Sequence, residues 1–172
     1  MTIIETSRLT ISELTTADAP FIIELLNSPG WLQYIGDRGV KTIDDACGYI
    51  LNGPTISYRT NGFGLWVVAL KDTNIPIGIC GLIRRDFLPH PDIGFAFLPQ
   101  YSGSGYALES AKGVMDFAAN VLRLPVVTAI TNDDNTSSLK LLFKLGFDFI
   151  GMVTYPGEDK ELMLLEKHIT IR

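Results

Sequence analysis

Apolar and polar residues alternate along residues 8–14 (RLTISEL), the period-2 pattern of a strand with one buried face. Over residues 16–27 the period lengthens to that of a helix. Ala19, Ile22, Ile23, Leu25 and Leu26 make its apolar stripe, Thr15 or Thr16 can cap it, and Asp18 suits its first turn. Ser28-Pro29-Gly30 ends this helix, and residues 31–40 read as an irregular, aromatic-containing connection. Thr42 opens a second helix over residues 43–51, with Asp44 and Asp45 in its first turn; Asn52-Gly53-Pro54 stops it. Strands are predicted at 65–70, 76–83 and 90–98, the first two forming a hairpin about Lys71 to Asn74. Gly78 and Gly81 within the second mark a bulge or a close backbone approach.

The second half alternates. A long helical pattern covers 107–122, a strand 126–130, and a short helix 136–145, which Gly146 stops. Strands at 147–153 and 162–168 close the chain around the turn Tyr155-Pro156-Gly157. The order is β, two helices, three strands, helix, strand, helix, two strands. That predicts a mixed α/β sheet with helices on both faces. With no repeats or linker-like stretches, 172 residues read as a single domain, 1–172.

Composition narrows the classes. The hydrophobic fraction of 47% is that of a globular protein, no apolar run is long enough to span a bilayer, and the N-terminus lacks a signal-peptide pattern. Cys47 and Cys80 stand in separate apolar segments without metal-ligand spacing. They predict buried thiols, a cytoplasmic protein and no metal. A net charge of −5 argues against general nucleic-acid binding and fits a cationic acceptor.

The chemistry concentrates at Gln100-Tyr101-Ser102-Gly103-Ser104-Gly105-Tyr106-Ala107, between a predicted strand and a predicted helix. Glycines there let the backbone approach an anion, and a helix start offers unpaired N–H groups with partial positive charge. The third position of a dinucleotide fingerprint is Leu108, and no Gly-Lys-Ser/Thr ends the loop, so Rossmann and P-loop readings fit poorly.

Gln100-x-x-Gly103-x-Gly105 resembles the pyrophosphate loop of the GCN5-related N-acetyltransferase (GNAT) superfamily. Gly105-Tyr106-Ala107-Leu108-Glu109-Ser110, Asp92-Ile93-Gly94-Phe95, Asn135-x-x-Ser138 with Gly146-Phe147, and the opening Glu5-Thr6-Ser7-Arg8-Leu9 are similar to segments of its ribosomal-protein and small-amine branch. The matches run in order from residue 5 to about residue 151.

The resemblance implies the acyl-CoA N-acyltransferase fold, a mostly antiparallel central sheet with helices on both faces. It also implies acetyl-CoA as co-substrate and a primary amine as acceptor, a protein N-terminus or a small amine, attacking the thioester directly. A non-catalytic acyl-CoA-binding or sensory module with the same fold is the alternative, and the assembly is a monomer or homodimer. Backbone N–H groups from Ser102 to Ala107, including Gly103, Ser104, Gly105 and Tyr106, are implied to surround the pyrophosphate, with Ser102 and Ser104 adding hydroxyls. Phe97 and Leu98 are implied as backbone partners of the pantetheine arm, Pro99 having only its carbonyl. Gln100 joins the pyrophosphate site or simply closes the turn. Asn135 binds a pantetheine amide, caps a helix, or both, and Ser138 one turn later shares its side.

Many superfamily members carry a Tyr seven residues after this Asn as acid; Leu142 stands there. Ser138 or a water is left to serve the leaving sulfur. Asp92 is the candidate base, against a plain surface carboxylate at a strand end. Glu109 reads as structural, pairing with loop backbone; Lys112 and Lys140 read as a solvated face, and His90 as a solvated loop residue. Trp31, Tyr34, Trp66 and Phe87 are candidates to line the acceptor side, with Asp37, Asp86 and Asp92 drawing in a cation.

Overall fold

The computed structural model describes residues 1–170. Its strands are β1 (Thr2–Glu5), β2 (Leu9–Glu13), β3 (Leu65–Leu70), β4 (Pro76–Ile83), β5 (Asp92–Phe97), β6 (Val126–Thr131), β7 (Asp148–Thr154) and β8 (Glu161–His168). They form one sheet in the order β1-β2-β3-β4-β5-β6-β8-β7. Neighbours are antiparallel throughout except β5 and β6, which run parallel. The helices are α1 (Ala19–Leu26), α2 (Pro29–Tyr34), α3 (Ile43–Asn52), α4 (Pro54–Asn61), α5 (Tyr106–Asn120) and α6 (Thr136–Lys144).

Alternation along the strands feeds two cores. Val68, Cys80 and Ile93 point to one face, where Ala111, Val114 and Ala118 of α5 and Leu142 of α6 cover them. Val67, Ile79 and Leu98 point to the other, under Ile22, Leu25 and Leu26 of α1 and Ala46 and Ile50 of α3. The mixed sheet with helices on both faces is as the sequence predicts.

The glycines of β4 act as expected. The β3–β4 register shifts between Val68 and Ala69, leaving Ile77 as the extra residue between Gly78 and Pro76. Ile77 therefore packs on the α5 face although Ile79, two residues on, packs on the α1 face. An added Cβ at Gly81 would overlap the Gly64 carbonyl.

Three elements depart from the pattern reading. β1 is a four-residue edge strand, too short to show alternation. In α2 and α4, Pro29 and Pro54 stand in the first turn. By pattern each reads as a terminator, whereas proline suits a helix's first position, where its missing N–H has no partner to lose. The stretch expected to be irregular, 31–40, thus opens with the helical residues 31–34, which continue from Pro29. α4 is held by tertiary bonds instead of an apolar stripe. Ser57 Oγ donates to the Phe63 carbonyl at 2.6 Å, and Tyr58 Oη donates to the Leu65 carbonyl while accepting from Leu14 N–H.

Candidate active site

The parallel pair creates the site. β5 and β6 are registered only at Asp92 and Thr128, where Thr128 N–H donates to the Pro91 carbonyl at 2.9 Å. Beyond that point the strands part, and a cavity of about 920 Å³ occupies the gap. Leu98 N–H donates to the Ile77 carbonyl at 2.9 Å, which fixes the phase of β5. By antiparallel alternation Phe95 and Phe97 then turn their N–H and C=O groups toward the gap. This corrects the reading of Leu98: its N–H is spent and its side chain is buried in the α1–α3 core. Phe97 faces the gap, and Phe95 joins it.

At the mouth of the gap, Gly103 and Gly105 have φ of 80° and 81°. Both lie in the left-handed region that favours glycine. Gly105 precedes α5, whose first bond runs from Glu109 N–H to the Gly105 carbonyl at 3.0 Å. The N–H groups of Gly103 through Leu108 meet no protein acceptor among the described residues. Ser102 N–H instead closes a turn on the Pro99 carbonyl at 3.1 Å, so the donor row starts one residue later than predicted. Ser102, Gly103, Gly105, Tyr106 and Ala107 line the cavity. Ser104 does not, and its carbonyl accepts from Arg8. Gln100 is exposed and reaches Glu24 at 3.4 Å, away from the cavity wall and without closing the turn.

Arg8, which in sequence is only part of the opening motif, holds this loop. Its Nε donates to Glu109 Oε2 at 2.7 Å and its Nη1 to the Ser104 carbonyl at 2.9 Å, and its guanidinium lies 4.4 Å from the Tyr106 ring centre. Glu109 Oε1 accepts from Thr6 Oγ1 at 2.7 Å and from Arg8 N–H at 2.8 Å. Glu109 is therefore structural, but it pairs with the β1–β2 turn and not with the loop backbone. Burial opposes ionisation of Glu109, yet the bonds from Thr6 and Arg8 and the Arg8 charge hold its carboxyl below the usual range.

Asn135 caps α6: its Oδ1 accepts from Ser138 N–H at 3.3 Å. Its Nδ2 donates to no acceptor among the described residues, and Asn135, Ser137 and Ser138 all line the cavity. Ser137 was missed, hidden in a run of similar residues. Leu142 lies on the same wall and is otherwise buried.

Asp92 is not a surface carboxylate. It is 1% exposed and points to the α1–α3 side of the sheet. Its Oδ1 accepts from Arg85 Nε at 2.9 Å, and Arg85 Nη1 donates to Tyr155 Oη at 3.1 Å. Phe87 packs edge-on against Tyr155 at 5.3 Å. Burial pushes the Asp92 carboxyl up to about 6 against the opposing charge and hydrogen bond of Arg85. Such a group is mostly ionised at neutral pH yet basic enough to accept a proton. Arg85 and Tyr155 were missed because Arg85 reaches Asp92 from the loop after β4 and Tyr155 meets Arg85 from the far β7–β8 hairpin.

Trp31 and Tyr34 line the cavity, as expected; Trp66 and Phe87 do not. Trp66 is core, 5.4 Å from Phe117. Asp37 pairs with Lys41 at 3.5 Å on the surface, and Asp86 is exposed outside the wall. Lys112 is exposed outside it too, whereas Lys140 forms part of it. Cys80 is buried, which pushes its thiol up to about 12, and Cys47 is half-buried; both are free. Among the described residues no helix is long and apolar enough to cross a membrane.

A gap between parallel strands, closed at one end and carrying unspent N–H groups at the other, has the shape for an elongated ligand with an anionic head. A profile of the acetyltransferase (GNAT) domain matches residues 8–148. The chain belongs to the GNAT family of acetyltransferases. It is 27% identical over 154 residues to the uncharacterised N-acetyltransferase YoaA of Bacillus subtilis (strain 168), covering 88% of this chain and 85% of the relative. An acetyltransferase structure from Agrobacterium tumefaciens str. C58 superposes with a TM-score of 0.81 at 23% identity, covering 98% of this chain and 95% of that one. RimL, a ribosomal L7/L12 alpha-N-protein acetyltransferase solved with coenzyme A, superposes with a TM-score of 0.82 at 15% identity and 98% coverage of both.

Proposed function

We propose that this acetyltransferase moves an acetyl group from acetyl-CoA to a primary amine by direct attack. The observation that carries the reading is the unspent N–H row from Gly103 to Leu108 at the open end of the β5–β6 gap. That row suits a pyrophosphate, and RimL, with the same architecture, was solved with coenzyme A. Phe95 and Phe97 offer backbone groups to an amide-bearing arm, and Asn135 Nδ2 offers a donor to its carbonyl. The thioester then lies toward the closed end, within the wall that holds Ser138 and Asp92.

An amine arrives mainly as ammonium near neutral pH, and only the neutral form attacks. Asp92 takes that proton, directly or through one water. The nitrogen lone pair forms the new C–N bond, and collapse of the tetrahedral intermediate breaks the C–S bond. The second proton of that nitrogen passes by way of Ser138 Oγ or a water to the departing sulfur, so coenzyme A leaves as the thiol and Ser138 ends unchanged. Leu142, where a Tyr acid stands in many members, favours one rival reading: a module that binds acyl-CoA without turnover. Calorimetry and thiol release over an amine panel separate them. Transfer supports the enzyme; tight acetyl-CoA binding without transfer to any amine supports the module. Gly103→Val, which puts a β-branched residue at positive φ, should cut acetyl-CoA affinity at least about tenfold in a folded protein. Unchanged affinity refutes the loop assignment.

A further inference from the structure

We infer that the acceptor amine carries a carboxylate, recognised by Arg38 and the indole N–H of Trp31. This rests on the reading just given and narrows its substrate class. The route of approach comes first. One face of the β5–β6 gap is sealed by α5 and α6, whose Leu142 packs with Val127 and Ala129 of β6. On the other face the cavity opens against α2. Trp31, Tyr34 and Ile35 sit at positions i, i+3 and i+4 and so present one side of that helix to the cavity, and Arg38 follows on the same wall. Asp92 points to this face as well, so an amine entering here meets the base.

The second observation is an unpaired donor. Trp31 is 6% exposed, and its Nε1 is buried with no hydrogen-bond partner. Buried donors are nearly always satisfied, and an indole N–H can only donate. Trp31 lines the cavity, so a small turn of its ring would present this N–H to a ligand oxygen, and it offers nothing to an ammonium.

The third is charge. Arg38 makes no ion pair among the described residues, since its neighbour Asp37 is engaged by Lys41. Arg85 and Asp92 neutralise each other. Glu158 and Lys160 stand on the same wall with opposite signs. Lys140 and Lys144 of α6 add two more cations to the wall, so with Arg38 three positive charges are left over, on a chain whose net charge is −5. That balance repels a polyamine and attracts a carboxylate. It also replaces the expectation that Asp37, Asp86 and Asp92 draw in a cation: the first is paired at the surface, the second is outside the wall, and the third is held by Arg85.

The test measures thiol release from acetyl-CoA with the twenty L-amino acids, each against its own carboxamide, and with spermidine. Calorimetry of acetyl-CoA on the same protein runs beside it. At least one amino acid should exceed its amide about tenfold or more in kcat/KM. Arg38→Gln should remove that preference by raising the acid's KM, and Trp31→Phe, which keeps the ring and deletes the N–H, should raise it several-fold. Acetyl-CoA affinity should stay at the parent's value in both. Amides equal to acids, a preference for spermidine, an equal loss for acid and amide in Arg38→Gln, or no amino acid accepted would each overturn the inference. If any of these comes with normal acetyl-CoA binding, only the acceptor assignment fails; if acetyl-CoA itself does not bind, the donor reading fails first.

Discussion

Replacing Asp92 by asparagine keeps the shape of the side chain and removes its charge and basicity. Burial raises the carboxyl from 3.8 to about 6 in the folded chain. A shift of about two units corresponds to ~3 kcal/mol between the protonated and ionised folded forms. The sign follows from linkage: the folded state binds this proton more tightly than the unfolded state. The group's contribution is therefore fully present below about pH 4, is lost as pH rises from there through about 6, and is absent at neutrality. Asp92→Asn should erase that dependence. Arg85 loses its partner at every pH, a roughly constant cost that its partial exposure softens. Urea unfolding of parent and variant at steps from pH 4 to 7 isolates the effect. Relative to the variant, the parent should lose on the order of 3 kcal/mol across that range. The kinetic arm uses the same protein. Parental kcat/KM should climb through pH about 6 as Asp92 ionises, and the variant should lose that limb and about 10²-fold in kcat. Acetyl-CoA affinity should hold. A stability difference independent of pH refutes the burial argument, and an intact acid limb removes Asp92 from proton transfer.

Three further outcomes are expected. Arg8→Ala frees the Ser104 carbonyl, the Tyr106 ring and Glu109 together, so acetyl-CoA affinity by calorimetry should fall several-fold; stability should fall by only about 1 kcal/mol, because the Arg8 side chain is 44% exposed. Arg8→Lys should recover little, because an ammonium cannot span carboxylate and carbonyl in one plane. Asn135→Ala should cost about 1 kcal/mol as a lost cap and also lower turnover; melting with and without acetyl-CoA separates the two, and lost stability with full turnover would leave Asn135 a cap alone. Gly81→Ala sets a Cβ against the Gly64 carbonyl and should prevent native folding, read as loss of the cooperative melt; a parent-like melting temperature would contradict the close approach.

The sequence by itself determined which stretches alternate and which repeat with a helical period, and hence most of the strands and four of the helices. It also determined the glycine loop, since a left-handed backbone ahead of a helix has a residue signature of its own, and that loop with the motifs around it pointed to the GNAT family. It misplaced α2 and α4 because a proline signals an end and a beginning alike, and only the chain around it decides. Pairings across long separations were beyond it. Arg8 and Glu109 stand 101 residues apart and Arg85 and Tyr155 stand 70 apart, and no local pattern joins them. Whether Asp92 is a solvated strand end or a buried carboxylate was likewise undecided at the level of spacing. Its setting depends on the parting of β5 from β6, on Arg85 and on the helices over one face of the sheet. Periodicity is a local property of the chain and is written in it; burial, ion pairing and the opening between two strands belong to the packed sheet and arise only when distant segments meet.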